Sequence, residues 1–568
     1  MKVRLPTLFQ DSKLSMLRGG STVALRRDLE DEFFLDGPVS RRLAVVDFNA
    51  DGTLHPGAKL SPADGDKRRT YLIDPSDFQE PEYRAVLVFG SVWKTIDMFE
   101  DENILGSRRK LAWAFGAPQL LIVPRAGEWP NAFYERESHS LQFFYFETDR
   151  GTLNTCLSAD IVAHETGHAV LDAICPDLYD ATSPQSLAIH ESIADLTAIC
   201  RALDNRPLVD EIVSRPEWTI RESSQFTALA EEFGNAISLG RRSYLRNAYN
   251  NKTLCDDAPK EDQVARDEPH ALSEVLTGAL YRAFVAQYEK FYDKYMADED
   301  DREKAQKAAR GKALGIARDR FSRIVFRALD YVPPGEVSFA DLGRAIVAAD
   351  MAAYPSDDDN ADRQVIIDEF VRRCIVATAD ELMVPTLYEL ESLSNPEADF
   401  DAIRDSEWHA QQFVNDNRNV FGIPSGVAFE LRDRLDVSKV FPYTKRKNVR
   451  ELVIKISWEE DEPNPIGGGF PERRLITKGA TLVIDWDLRL VRALLQTNND
   501  EQQRQDRDDY LRNLVDRELL VVGNARSFDG SPRQGAIAGK IRQDRMQVGS
   551  TCRSLHLIGN DEDQEDER

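Results

Sequence analysis

The stretch HETGH, His164–His168, places two histidines four residues apart, one helical turn removed and on one face of a helix. Two imidazoles so placed can hold one metal ion, and Glu165 sits beside the first of them, within reach of a water at that metal. Further on, HESIAD (His190–Asp195) offers the Glu191 carboxylate as a third ligand, with Asp195 one turn later. Three protein ligands leave a fourth position open, as a catalytic zinc requires and a structural zinc does not. The alternative is an amphipathic helix with polar residues on its outer face. The flanks argue against it: Ile161, Val162 and Ala163 precede the motif, and Ala169, Val170 and Leu171 follow. A helix this apolar is mostly buried, and two buried histidines with a glutamate are costly without a partner. A metal supplies that partner.

The second motif lies on a helix of its own. LAIHESIADLTAICRAL has apolar residues at Leu187, Ile189, Ile193, Leu196, Ile199 and Leu203, a buried pattern. Glu191 and Asp195 share a face, so Glu191 can ligate while Asp195 accepts from the free ring N–H of a ligand histidine and fixes its tautomer. Glu-xxx-Asp alone would read as a solvated acidic face. On an apolar helix following HExxH it reads as the remainder of a zinc hydrolase site.

HETGHAVLDA followed by HESIADL resembles the gluzincin metallopeptidases, specifically the thermolysin-like group. NAFY (Asn131–Tyr134), ahead of LQFFYF, is similar to the edge strand that holds extended peptide in that family. EPHALSEVLTGALYRAF (Glu268–Phe284) resembles the segment carrying the catalytic histidine, and LRN (Leu245–Asn247) the arginine segment. SFADLGRAIVAAD and IIDEFVRRCIV resemble the last two helices. The resemblance covers residues 82 to 378, with every piece in order.

It implies that His164, His168 and Glu191 hold one zinc ion, that Asp195 supports a ligand, and that Glu165 is the general base. It makes His270 the stabiliser of the oxyanion, with Tyr179 as a second candidate. Tyr179 stands somewhat farther ahead of Glu191 than the family usually has it. Asn131 and Ala132 would pair with peptide backbone, and Arg246 would bind a peptide carbonyl, with Arg241 and Arg242 competing for that role. There are departures. MKVRLPTLFQDSKLSMLRGG has no continuous apolar segment of a secretory signal, and no inhibitory pro-segment of the usual size is evident. Asp160 matches one calcium ligand of the family, but Ala202 stands where a glutamate is wanted, so calcium is doubtful. His190 replaces the family's usual asparagine, leaving open a supporting role at the metal or a plain helix-surface histidine.

A formal net charge of −26 opposes binding to nucleic acid or to an anionic membrane. No apolar run is long enough to span a bilayer. Cys156, Cys175, Cys200, Cys255, Cys374 and Cys552 are scattered without CxxC spacing, nothing demands disulfides, and a reducing, cytoplasmic compartment is expected. DFNADGTL invites an EF-hand reading through Asp47, Asn49, Asp51 and Gly52. Its twelfth position is Ala58, and a strand precedes it, so a hairpin turn is the better reading. The acidic stretches Ala297–Asp301 and Ser356–Asp362 read as solvated loops rather than calcium sites.

The fold class expected is α+β: a two-lobe zincin core with extensions at both ends. Residues 1–81 form a β-rich extension, with strands in RRLAVVDF and TYLID. Residues 82–155 form a mixed-sheet lobe, in which AVLVFGSVWKTIDMFEDE holds a helix and QLLIVP and LQFFYFETD are strands. Residues 156–378 form the helical catalytic lobe. Residues 379–555 form a C-terminal α+β accessory domain: a helical region past TLYELESL, strands in RELVIKISWEE and GATLVIDWDLRLVRALL, and a charged helix in EQQRQDRDDYLRNLVDREL. Residues 556–568 are a disordered acidic tail. The function expected is a zinc-dependent endopeptidase acting on peptide or protein substrates. Two alternatives stand beside it: an inactive or regulatory zinc-binding protein on the same scaffold, and a zinc aminopeptidase. The second needs acidic residues for a free peptide amine, and no GAMEN-like segment precedes HETGH. Oligomeric state and side-chain preference are not encoded legibly.

Overall fold

The computed structural model describes residues 3–8, 21–23, 33–49, 51–62, 69–74, 80–107, 109–148, 151–215, 218–221, 228–229, 246–296, 302–354, 361–384, 399–432, 434–440, 448–467, 469–522, 537–542 and 545–548. The chain is a mixed α+β protein with several sheets. The central sheet has six strands, in the order Phe34–Leu35, Val39–Ser40, Leu43–Val45, Leu120–Val123, Ser140–Phe143, Ala132–Glu135. Leu120–Val123 runs parallel to both its neighbours, and Ala132–Glu135 is antiparallel to Ser140–Phe143 and lies at the sheet's edge. The sheet expected within residues 82–155 therefore takes half its strands from residues 34–45. DFNADGTL is a hairpin turn: Gly52 N–H donates to Asn49 O (2.9 Å) and Phe48 bridges Leu54. LQFFYFETD is not one strand. It breaks at Phe144, whose N–H donates to Thr155 Oγ1 (2.9 Å) instead of to a neighbouring strand. Tyr145–Thr148 then pairs with Gly151–Asn154 in a separate hairpin.

The helix Pro81–Phe99 is buried along almost its whole length, and a buried charge on it is paired, Lys94 with Asp204 (2.7 Å). Leu5, Phe89, Trp93, Ile122, Val162, Ile189 and Leu280 belong to one continuous core. That core binds the sheet to the helices Ala159–Ile174, Pro184–Leu203 and Pro269–Met296. The helices Arg206–Val213, Arg302–Arg327, Phe339–Ala353 and Ala361–Arg372 also belong to the helical part.

The C-terminal region follows the alternation of its strands. Asn448–Pro463 and Arg473–Asp485 form a long antiparallel pair. Leu452, Ile454, Ile456, Ala480, Leu482 and Ile484 turn one face towards the helices Phe400–Asp405, Glu407–Asp416 and Arg418–Phe421. Val453 and Val483 turn the other face into the main core. Buried ions join the two: Lys439 pairs with Asp330 (2.8 Å), and Tyr331 donates to Glu451 (2.6 Å). GATLVIDWDLRLVRALL is two strands, Arg473–Asp485 continuing from upstream and Leu490–Gln496. The charged helix spans Glu501–Asp516. TLYELESL and the acidic tail lie outside the described residues.

The expectation that nothing demands a disulfide is corrected for one pair. Cys255 and Cys374 form a disulfide across a sequence separation of 119 residues. No spacing rule reveals such a pair, because the fold alone brings the two Cα atoms to 5.2 Å. Cys156, Cys175 and Cys200 are buried free thiols. Among the described residues no helix is long and apolar enough to cross a membrane.

Candidate metal centre

The HETGH helix, Ala159–Ile174, starts at Ser158, whose hydroxyl caps Ile161 N–H. It packs against the helix Pro184–Leu203 at Gly167. A Cβ added there would lie 3.0 Å from Ala194 Cα and 3.1 Å from Thr197 Cβ, tighter than ordinary carbon contacts, so glycine lets the two helices approach closely. That approach brings Glu191 to the histidines. His164 Nε2 and His168 Nε2 are 3.0 Å apart, and each is 3.5 Å from an oxygen of Glu191. These are the described residues whose donor atoms are grouped closely enough to hold a metal.

The rings are held from behind. His164 Nδ1 is 2.9 Å from Asp195 Oδ1, the contact expected from the Glu191–Asp195 spacing. His168 Nδ1 is 2.6 Å from His190 Nδ1, with the two rings stacked 4.9 Å apart. His190 is therefore not a surface residue; it is wholly buried. Burial disfavours the His164 cation, but the carboxylates of Asp195, Glu191 and Glu165 outweigh it and push the imidazole up to about 10. The excess of negative charge that does this is the environment a cation would occupy.

Glu165 faces the sheet. Its carboxylate accepts from Tyr134 N–H (3.0 Å) in the edge strand Ala132–Glu135. In an antiparallel pair, alternate residues point their backbone groups away from the partner strand. Tyr134 does so towards Glu165, and Ala132, two residues earlier, shares that edge. Asn131 is buried; its side-chain oxygen accepts from Ala132 N–H (2.8 Å). The strand is pinned to the helix by a buried network absent from the sequence reading. Tyr134 Oη donates to Asp172 (2.7 Å), and Arg136 pairs with Asp172 through Nε (3.0 Å) and with Asp180. Burial raises the Asp172 carboxyl although Arg136 and Tyr134 oppose it.

His270 is the second residue of the helix Pro269–Met296, and its Nε2 lies 3.9 Å from Glu191 Oε2. Its Nδ1 is 3.1 Å from Glu268 Oε1. Glu268 also accepts the N–H groups of His270 (3.0 Å) and Ala271, so it caps the helix and orients the ring together. Burial works against its charge, but the His270 ring and those two N–H groups hold the carboxyl below the usual glutamate range. Sequence reasoning passed over Glu268; the signal was an acid two residues before the histidine, at a proline-led helix start.

Tyr179, through its hydroxyl, accepts from Arg136 N–H (3.2 Å) and donates to Glu137 (3.4 Å), just beyond the edge strand. Its buried ring, not its hydroxyl, packs towards His190, with centroids 6.1 Å apart. Arg246 lies in the short strand Arg246–Asn247, paired with Ala228–Leu229; its side chain, like Arg241 and Arg242, is outside the described residues. Asp160 shares a small cavity with Arg201, Ala202 and Asn205, a lining with one carboxylate and a guanidinium, which is a poor donor set for calcium. Residues 297–301 and 355–360 of the two acidic stretches are outside the described residues; Asp362 pairs with Lys290 (3.2 Å) and Arg320 (2.8 Å). No protein-family model matches this chain, and no curated protein matches it.

Proposed function

We propose that this chain is a zinc-dependent metalloendopeptidase with a thermolysin-like two-lobe core. The observation that carries the reading is the spacing of the donor atoms. Ligands about 2.0–2.1 Å from a tetrahedral zinc lie roughly 3.3 Å from one another. Here the two Nε2 atoms are 3.0 Å apart, and each is 3.5 Å from its own oxygen of Glu191, Oε2 for His164 and Oε1 for His168, so the carboxylate faces both rings at ligand spacing. Two imidazoles and one carboxylate leave one position free, which suits catalysis rather than structure.

Zinc, when bound, supplies Lewis acidity: it polarises a carbonyl and makes water a competent nucleophile near neutral pH. The chain's own groups do the rest. A peptide extends along the edge strand Ala132–Glu135, with Asn131 and Ala132 at its start, and donates its N–H groups to the strand's outward carbonyls, since the Ala132 and Tyr134 N–H groups are held by Asn131 and Glu165. Glu165 takes the proton from the attacking water and returns it to the leaving amine. Tyr134 N–H holds that carboxylate at the strand edge, in line with the peptide (3.0 Å). His270 donates from Nε2 to the developing oxyanion. With Nδ1–H committed to Glu268, that donor exists in the imidazolium form of the ring. Tyr179 is left to packing. An edge strand that accepts extended backbone favours an endopeptidase over an aminopeptidase.

The test is an N-acetylated peptide library, with and without a zinc chelator, on wild type, Glu165→Gln and His168→Ala. Cleavage of blocked peptides by wild type, lost in both variants, is expected. Glu165→Gln should retain about one zinc per chain, and His168→Ala should lose it. Wild-type hydrolysis by Glu165→Gln, or stoichiometric zinc in His168→Ala, overturns the reading.

A further inference from the structure

The geometry points to His190 as a positioning residue that fixes the ring tautomer of His168 by accepting its Nδ1 proton as a neutral imidazole. The inference rests on the ligand reading above and goes beyond it.

His168 presents Nε2 to His164 Nε2 and to Glu191, so Nε2 is the atom aimed at the metal. A ligating nitrogen offers a lone pair, so the ring's remaining proton sits on Nδ1. The atom facing that proton is His190 Nδ1, at 2.6 Å. Two protonated nitrogens cannot share so short a contact. His190 Nδ1 must therefore bring the lone pair, and its own proton lies on Nε2. The pair is wholly buried, so water offers no alternative partner. The His190 ring has little freedom to leave, stacked on His168 and flanked by the Tyr179 ring.

The second ligand is treated differently. His164 Nδ1 meets a carboxylate, Asp195, at 2.9 Å. The helix Pro184–Leu203 thus supplies one ligand, Glu191, and a hydrogen-bond partner for each of the other two. A neutral acceptor at His168 makes electrostatic sense. Glu191 and Asp195 already set two carboxylates against His164, at 3.5 and 2.9 Å. An imidazole fixes the tautomer without adding a further carboxylate.

The experiment compares zinc affinity, by chelator competition on the full chain, for wild type, His190→Phe, His190→Asn and His168→Ala. His190→Phe keeps a ring and removes the acceptor; zinc should be held about 10- to 100-fold more weakly, as for other lost ligand supports. His190→Asn offers an amide oxygen and should recover most of that loss. If His190→Phe binds zinc as tightly as wild type, or His190→Asn binds as weakly as His190→Phe, the inference is overturned. A 15N spectrum of the imidazoles in zinc-loaded wild type gives an independent readout should His190→Phe not fold. His190 is expected as the neutral Nε2–H form, and a proton on its Nδ1 overturns the inference. Zinc retained by His168→Ala would instead overturn the ligand reading itself, so the two failures are distinguishable.

Discussion

Gly167→Ala adds one methyl group at the contact between the two helices that carry the candidate ligands. On an open helix face the change would stabilise by about 1 kcal/mol, from helix propensity alone. Here the new Cβ would stand 3.0 Å from Ala194 Cα, 3.1 Å from Thr197 Cβ and 3.2 Å from Thr197 Oγ1. Comfortable carbon contacts are about 3.5–4.0 Å, so the helices must separate by roughly 0.5 Å. Ala194 Cα is backbone and cannot rotate aside. Overpacking of this kind costs about 1–3 kcal/mol, so the net change is a loss of up to about 2 kcal/mol. The same displacement moves Glu191 and His190 relative to His164 and His168. Metal sites tolerate errors of about 0.2 Å in ligand distance, so zinc affinity should fall on the order of tenfold. Thermal unfolding of the metal-free chain and chelator competition measure the two effects separately. A raised Tm together with wild-type zinc affinity would refute the close-approach argument, because the helix propensity gain would then stand unopposed.

Three further outcomes concern the disulfide and Glu268. Cys255→Ser opens a covalent loop across 119 residues, for which chain entropy alone predicts a loss of about 5 kcal/mol. The variant should melt well below wild type without reductant, while dithiothreitol should lower only the wild-type Tm; two free thiols at these positions in unreduced wild type would contradict the pairing. If the proposed peptidase reading holds, Glu268→Gln should lower kcat more than it raises KM, because it disturbs the His270 ring proposed to meet the oxyanion rather than the strand proposed to hold peptide. Glu268 also carries a pH dependence. Its carboxyl is held below its ordinary value of 4.5, so its contribution to stability is present above that pH and is lost as pH falls through the lowered folded-state value. Wild-type stability should therefore drop more steeply on acidification below about 4.5 than that of Glu268→Gln, and parallel acid limbs would count against the Glu268–His270 contact.

Much of the candidate site is local in sequence, and local geometry is what a sequence displays. Histidines four apart on an apolar stretch share a helix face whatever the rest of the chain does, and the same holds for Glu191 and Asp195. The burial of both helices follows from apolar residues on all sides, and strand alternation in LVIKISW was legible because the side-chain period is two. Other features are set by pairs distant along the chain. LQFFYFETD has the composition of one long strand, and only Thr155, folded back against Phe144, divides it. The central sheet recruits Leu43–Val45 beside Leu120–Val123 through a parallel pairing that no local pattern announces. Cys255 meets Cys374 because the loop carrying one crosses the end of the helix Ala361–Arg372, where Leu254 N–H donates to Arg373 O (3.0 Å). His190 looked like either a surface residue or a supporting one until His168 came within 2.6 Å of it across two helices. Covalent neighbours and helical or strand periods are determined by the chain itself. Which side chain meets which across 20 or 120 residues is decided by how the elements pack, and only the tertiary structure contains that information.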